Sequence, residues 1–365
     1  MAITPVRDRS SRSEVRLKSR KPTIVDVARR AQVSVGTVSH VLSGAVNVSD
    51  RLRERVQQAM QALGYEQNML AHGLRRQRAP VVGLCVPHVA SAYLAALIDT
   101  FEDIAAGRGY QVMQVISRRD PATELRRVRE LLGHRIAGLL LVPTIDPRKT
   151  LNLIHESGTP AILVDRPSAD RRFDQVTFDN RGIMREAVSR LIALRHQRIL
   201  FVVHSRALVV SRQRIEGLQQ AAAAAARPVT ATVIEFDENP LEYARTLSKL
   251  LTGPGAPSAL VVSNSVIAAQ TLRVLRAVGI AVAEKISLLA FEEPDWADLV
   301  TPRLSVIRQP VREIARRAWE LLLRRMKGDD GPAVHIELQA EIVLRESVGE
   351  ASGERPRRRS LAPAA

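Results

Sequence analysis

Two hydrophobic periodicities divide the chain, and one gives way to the other at about residue 80. Between Thr23 and Gly64, apolar residues recur at helical spacing in three short blocks. Ile24, Val27, Ala28 and Ala31 form the first stripe. Val38, Val41 and Leu42 form the second, in a helix expected over Val35 to Leu42, and Leu52, Val56, Ala59, Met60 and Leu63 form the third. The punctuation agrees with that reading. Thr23 followed by Asp26 resembles a capping box with a shortened acid, Ser34 can cap the second helix, Ser49-Asp50 opens the third and Gly64 can close it. Helices this short can bury a core only against one another, and the second pair has the compact spacing of a helix-turn-helix.

From Val81 onward, short apolar runs alternate with amphipathic stretches. Strands are predicted at Val81–Val86, Val112–Ile116, Gly138–Val142, Ala161–Val164, Val176–Phe178, Ile199–Val203, Val233–Phe236, Ala259–Val262 and Ile286–Phe291. Helices lie between most of them, as in Ala95–Gly107, Thr123–Leu132, Gly182–Leu194 and Val266–Val278. Alternating β and α with fully apolar strands implies parallel sheets covered on both faces. Two such series imply two doubly wound subdomains, with a ligand crevice at the carboxyl ends of the strands. The expected fold class is therefore an all-α helix-turn-helix headpiece on an α/β module of two doubly wound parallel-sheet subdomains.

Charge sharpens this division. The 365 residues carry a net +16, and residues 1–80 hold 15 basic against six acidic side chains, a net +9. A basic surplus points to nucleic acid or another anionic surface only when a motif accompanies it. Residues 1–21, rich in Arg, Ser and Lys, are expected to be a disordered basic arm. A lone cysteine, Cys85, within an apolar strand excludes an internal disulfide framework and fits a reducing compartment. No apolar run reaches the roughly 18 residues of a membrane span, and no signal-peptide core follows the N-terminal charges. The expected location is the cytoplasm, in association with the nucleoid.

The second helix presents Val35, Gly36 and Thr37 in its first turn, with Ser39 and His40 one turn on. Small residues let such a helix lie deep in a major groove, where Thr37 and Ser39 reach phosphate or base edges and His40 reaches a base. A three-helix bundle that binds no DNA is the plainer alternative, and the basic flanks argue against it. The run Thr23-Ile24-Val25-Asp26-Val27-Ala28 … Val33-Ser34-Val35-Gly36-Thr37-Val38-Ser39-His40-Val41-Leu42, continued by Val48-Ser49, Leu63-Gly64-Tyr65, Asn68, Ala71 and Leu74, resembles the headpiece of the lactose/galactose repressor family of bacterial transcription regulators.

That resemblance implies DNA contacts from Thr23, Ser34, Val35, Gly36, Thr37, Ser39 and His40, and a hinge helix over Asn68 to Arg75 that orders on DNA. In the family a hinge leucine wedges between base pairs; Leu74 stands at that position, with Ala71 on the same segment and Arg75 placed for phosphates. A linker leucine packed on the larger module is the alternative for Leu74. Two positions depart from the pattern: His40 replaces the usual Arg, and Gln32 replaces the turn glycine. The implied domains are the arm (1–21), the helix-turn-helix (22–66), the hinge and linker (67–79), an effector-binding and dimerisation module (80–345) and a disordered basic tail (346–365).

The larger region is similar to the periplasmic sugar-binding fold, on Ile162-Leu163-Val164-Asp165-Arg166-Pro167, Ser211-Arg212-Gln213-Arg214-Ile215-Glu216-Gly217 and Ile286-Ser287-Leu288-Leu289-Ala290-Phe291-Glu292-Glu293 among others. By matched position this implies three chain crossings between subdomains and effector contacts from Asp165, Arg214, Asn264 and Glu292. Phe178 would lie against the effector's apolar face. Arginine forks and carboxylates hold vicinal hydroxyls or a carboxylate in paired hydrogen bonds.

The usual Asn-Asp pair has become Asn264-Ser265, the usual Asp-Asp has become Glu292-Glu293, and the usual Asn-Pro of the first loop is Ser91-Ala92, followed by Tyr93. With aromatics at 3%, only Tyr93, Phe178 and Trp296 are candidates to stack on a ring. Sugar is the effector the family implies; an organic acid, or no ligand, remains the alternative. The expected partners are a palindromic double-stranded operator, a small effector and a second copy of the chain in a homodimer. No leucine heptad for a tetramer follows Leu344, and no membrane is involved. No catalytic signature motif or paired histidine spacing is present, so neither enzyme chemistry nor a cofactor or metal is expected. A receptor module without specific DNA readout is the competing function.

Overall fold

The computed structural model describes residues 22–42, 48–65 and 80–351. They belong to two units that divide between Arg75 and Arg76. The arm, the tail beyond 351 and the hinge candidates Asn68, Ala71, Leu74 and Arg75 lie outside the described residues.

In the first unit, α1 (Ile24–Ala31), α2 (Val35–Leu42) and α3 (Asp50–Leu63) surround a small core of Val27, Ala28, Ala31, Val38, Val41, Val56 and Ala59. The capping box at α1 is complete: the Thr23 backbone N–H donates to Asp26 Oδ2 at 2.8 Å, and Asp26 N–H donates to Thr23 Oγ1 at 3.4 Å. Gln32 ends α1 in the left-handed region, φ 52°, which costs a side-chain-bearing residue about 1–2 kcal/mol. Ser34 Oγ accepts from Thr37 N–H at 3.0 Å and so caps α2. Arg55 donates to the Ala31 carbonyl at 2.7 Å, tying α3 to the end of α1. Gly64, at φ 59°, closes α3 as its composition predicts.

The second unit begins with β1 (Val81–Val86), α4 (Ala92–Ala106), β2 (Gln111–Ile116), α5 (Pro121–Gly133), β3 (Gly138–Leu141), α6 (Arg148–Ser157), β4 (Ala161–Val164) and β5 (Asp174–Phe178). It continues with α7 (Asn180–Ala193), β6 (Arg198–Val203), α8 (Val209–Ala223), β7 (Thr230–Glu235), α9 (Pro240–Thr252), β8 (Ala259–Val262) and α10 (Ser265–Ala277). It ends with β9 (Ser287–Phe291), a short 3-10 turn, β10 (Ser305–Arg308), α11 (Val311–Met326), β11 (His335–Leu338) and β12 (Glu341–Val343). Two six-stranded sheets result, ordered β11-β5-β4-β3-β1-β2 and β12-β10-β9-β8-β6-β7. The chain therefore passes between sheets three times: after β5, after β10 and between β11 and β12.

Several features go beyond the sequence reading or correct it. Strands β10, β11 and β12 were not expected, and β12 runs antiparallel to β10, so the second sheet is not wholly parallel. The module also continues past 345, where a disordered tail was expected to begin. Ser347 is buried, its hydroxyl donating to Leu288 O at 2.7 Å and accepting from Ser305 N–H at 2.7 Å, and Ala351 N–H reaches Leu194 O at 2.8 Å. These bonds fix a segment whose composition alone reads as coil.

Close packing explains one glycine in particular. A Cβ on Gly217 in α8 would stand 2.3 Å from the Arg181 carbonyl oxygen of α7, so only glycine permits that helix crossing.

Candidate functional site

On α2 the candidate reading face is presented largely to solvent. Ser34, Gly36 and His40 are exposed, and Val35, Thr37 and Ser39 are half-buried. Val38 and Val41 point into the core. Nothing in the fold demands glycine at 36, since a Cβ there would meet only Ser34 Oγ at 3.5 Å.

In the larger unit the two doubly wound sheets place loops at matching ends. Ser91 and Tyr93 follow β1, Arg119 follows β2 and Asp165 follows β4. In the second sheet His204 follows β6, Asn264 follows β8 and Glu292 follows β9. All of them line a single cavity of about 60 Å³ between the sheets, which Arg214 reaches from the first turns of α8. This is the crevice that the strand topology requires.

Arg214 is the centre of the arrangement. Its Nε donates to Asn180 Oδ1 at 2.7 Å and one terminal nitrogen to Ser263 O at 3.1 Å. Its guanidinium lies 3.7 Å from the Phe291 ring centroid and 5.8 Å from that of Phe178. Burial lowers its pKa to about 10, against the pull of Asp165 and Glu292. Asp165 and Glu292 are both raised above the ordinary carboxylate range by burial, with Arg166 and Arg214 opposing the shift at Asp165 and Ser265 donors opposing it at Glu292. Each of these acids directly follows the fourth strand of its sheet in order from the free edge, and each has positive φ, 69° and 73°. Such strain in a non-glycine residue is characteristic of ligand sites.

Tyr93 is 5% exposed and its hydroxyl faces the Asp165 carboxylate. Burial, then the nearby Asp165 carboxylate, raises its pKa. Asn264 spends its Oδ1 capping α10, where it accepts from Ile267 N–H at 2.8 Å, so its amide nitrogen is what it can offer a ligand. Phe178 does not line the cavity; it sits in the core beside Arg214. Trp296 is half-buried against the core of the second sheet.

Sequence reasoning missed His88, Arg119, Arg166, His204, Ser211 and Gln309, all of which line the cavity. The sequence showed no paired histidine spacing. His88 and His204 instead converge from β1 and β6, too far apart in the chain for any spacing rule. Burial and the flanking Arg119 push His88 down to about 3 and His204 to about 4.

Two contacts bridge the lobes beside the cavity. Arg119 pairs with Glu238 at 3.1 Å, and Ala92 N–H donates to Ser265 Oγ at 3.1 Å. An adjoining outer cavity of about 690 Å³ shares Arg166 and Leu208 with the inner one.

A helix-turn-helix unit joined to a two-lobed module with a polar crevice defines a ligand-responsive DNA-binding regulator. Comparison with known proteins agrees: residues 23–68 match the bacterial regulatory proteins of the lacI family, and residues 188–348 match a periplasmic binding protein-like domain. The HTH-type transcriptional regulator PtxS of Pseudomonas aeruginosa is 30% identical over 328 residues, covering 89% of this chain and 95% of that protein. KdgR of Bacillus subtilis is 26% identical over 332 residues, covering 89% and 97%.

Among solved structures, a CelR–cellobiose complex is 27% identical at a TM-score of 0.65, covering 90% of this chain and 100% of that one. A lac repressor dimer bound to operator and an anti-inducer shares the fold at a TM-score of 0.79 and 24% identity, covering 90% and 99%. The chain belongs to the lacI family of DNA-binding transcriptional regulators. No described helix is long and apolar enough to cross a membrane.

Proposed function

We propose that this chain is a cytoplasmic, nucleoid-associated repressor that binds a palindromic operator as a homodimer and releases or tightens its grip when a small polar effector fills the crevice. The observation that carries this reading is the charged cavity around Arg214, in a chain whose residues 23–68 match the lacI DNA-binding family. Thr23, Ser34, Val35, Gly36, Thr37, Ser39 and His40 would meet the major groove or its phosphates. Asn68, Ala71, Leu74 and Arg75 would form the DNA-ordered hinge. Tyr93, Asp165, Arg214, Asn264 and Glu292 would contact the effector, and Phe178 would support Arg214 from behind.

The similarity to a cellobiose-bound regulator favours a sugar or related polyol. The relatives are regulators, which supports binding rather than catalysis as the use of the site.

Lobe closure would bias the hinge between ordered and disordered states, so effector and operator must change each other's affinity by one common factor. Selection from a random duplex pool with the purified full chain tests the reading. Enrichment of a palindrome with a flexible central step is expected; salt-sensitive binding without sequence preference would contradict it.

A further inference from the structure

We infer that the effector is an anion: a small polyol bearing a carboxylate or phosphoryl group, whose charged end sits among Arg119, Arg166, His88 and His204. This rests on reading the cavity as the effector site. The cavity has two chemically different ends. Around Tyr93, Asp165, Arg214 and Glu292, donors and acceptors alternate, as hydroxyl groups require. At the other end His88, Arg119, Arg166 and His204 supply only nitrogen, and no carboxylate from the same lining faces them except Asp165 at the junction, 3.8 Å from Arg166 Nε.

Arg166 is 7% exposed, and its Nε has no hydrogen-bond acceptor, although one terminal nitrogen donates to Pro143 O at 2.9 Å. His88 Nδ1 is likewise buried without a partner. A buried guanidinium nitrogen with nothing to donate to is costly unless a ligand supplies the acceptor. Two carboxylates outside the lining act on this end: Glu124, one oxygen of which accepts from Thr144 N–H at 2.6 Å, is near Arg166, and Glu238, on the exposed rim, faces both Arg119 at 3.1 Å and His204 at 3.8 Å.

The backbone points the same way. Helix α8, 15 residues long, has Leu208 at its N-cap, no side-chain cap and no acid in its first turn, and Leu208, Val210 and Ser211 line this cavity. Its N-terminal N–H groups and dipole favour negative charge. By contrast α4 and α10, which also open here, are capped by Ser91 and Asn264. Three guanidinium groups therefore face two cavity carboxylates, one of them already bound to Ser265.

Inorganic phosphate is the first probe, read on the full chain by thermal unfolding with chloride at matched ionic strength as control. Phosphate should raise the unfolding temperature of wild type and not of Arg119→Gln, a rim substitution chosen because Arg166→Gln endangers the core. Calorimetry then compares D-gluconate, D-glucose 6-phosphate and D-glucose. At least one anion should bind about tenfold or more tightly than glucose, and in Arg119→Gln and His204→Gln the ratio of anion to glucose affinity should fall towards one, whatever happens to glucose itself. Whichever anion binds more tightly identifies the charged group as carboxylate or phosphoryl.

Glucose binding as tightly as both anions, or no phosphate effect on wild type, overturns the inference while leaving the operator-selection result untouched. Anion binding that leaves operator affinity unchanged supports the anion site and sinks the effector reading instead.

Discussion

Ser265 and Glu292 form a bonded pair: the serine hydroxyl and backbone N–H both donate to one carboxylate oxygen, at 2.6 and 3.0 Å. Each is a departure from the pattern that the sequence resembles, and the structure makes them one departure. The longer acid at 292 reaches the shorter alcohol at 265. An aspartate at 265 would set two carboxylates against each other.

Ser265→Asp should therefore destabilise the chain by about 3 kcal/mol at neutral pH, the scale of an uncompensated buried charge. Because burial already raises Glu292, a second acid raises it further. A carboxyl whose folded pKa is raised favours the folded state below the unfolded value, and that advantage is lost as pH rises through the folded pKa. Urea denaturation should thus find the variant's deficit shrinking as pH falls towards 4. A deficit that is flat with pH would refute the pairing.

Acidification should weaken the wild type through His88 and His204. Their folded pKa values, about 3 and 4, lie below the ordinary 6.5. Groups of this kind stabilise fully above the unfolded value, and the contribution is lost as pH falls through the folded one. At about pH 5 each would cost up to about 2 kcal/mol. His204 faces Arg119, Arg166, Glu238 and Glu235, so His204→Gln should flatten the slope between pH 6.5 and 4. An unchanged slope in that variant would assign the acid sensitivity elsewhere.

In the headpiece, Gln32→Gly should raise stability by about 1 kcal/mol, because glycine adopts the left-handed turn without penalty. Differential scanning calorimetry of the full chain reads this as a shift in the headpiece transition. No shift, or a fall, would mean that the Gln32 side chain contributes contacts that offset its strain.

Gly36→Val tests the exposed first turn of α2. The open surroundings of the glycine predict a fold that survives, since β-branched residues are no worse than glycine in a helix. Operator affinity should fall at least about tenfold, as two added methyl groups meet the groove wall. Equal affinity by gel shift would remove α2 from the interface.

Gly217→Ala should cost about 1–3 kcal/mol by forcing α7 and α8 apart at the Arg181 carbonyl. A guanidinium denaturation midpoint equal to wild type would show that the crossing relaxes without penalty. Since Arg214 lies one turn earlier on α8 and bonds Asn180 on α7, weakened ligand binding should accompany the lost stability.

The sequence disclosed elements whose signal is local. The boundaries of β1, β4 and β8 could be read to the residue, because uninterrupted apolar runs end at polar loops. Strands β11 and β12 could not, because they are short, half-exposed and carry His335, Glu337 and Glu341 on their open faces. In the site, Asp165, Arg214 and Glu292 were visible through family motifs. His88, Arg119 and His204 were not, because they meet only when two sheets come together. Nor does any periodicity reveal that Asn264 is already occupied as a cap.

Strands β11 and β12 are neighbours in sequence yet complete different sheets. Each lobe thus receives a strand from the last tenth of the chain, and neither can be finished during synthesis until residues 335–343 have left the ribosome. The DNA-reading helices, by contrast, are fully translated by residue 63. For most of its time as a nascent chain the protein can possess its reader without its sensor, and a truncation that removes this one short stretch blinds both lobes at once.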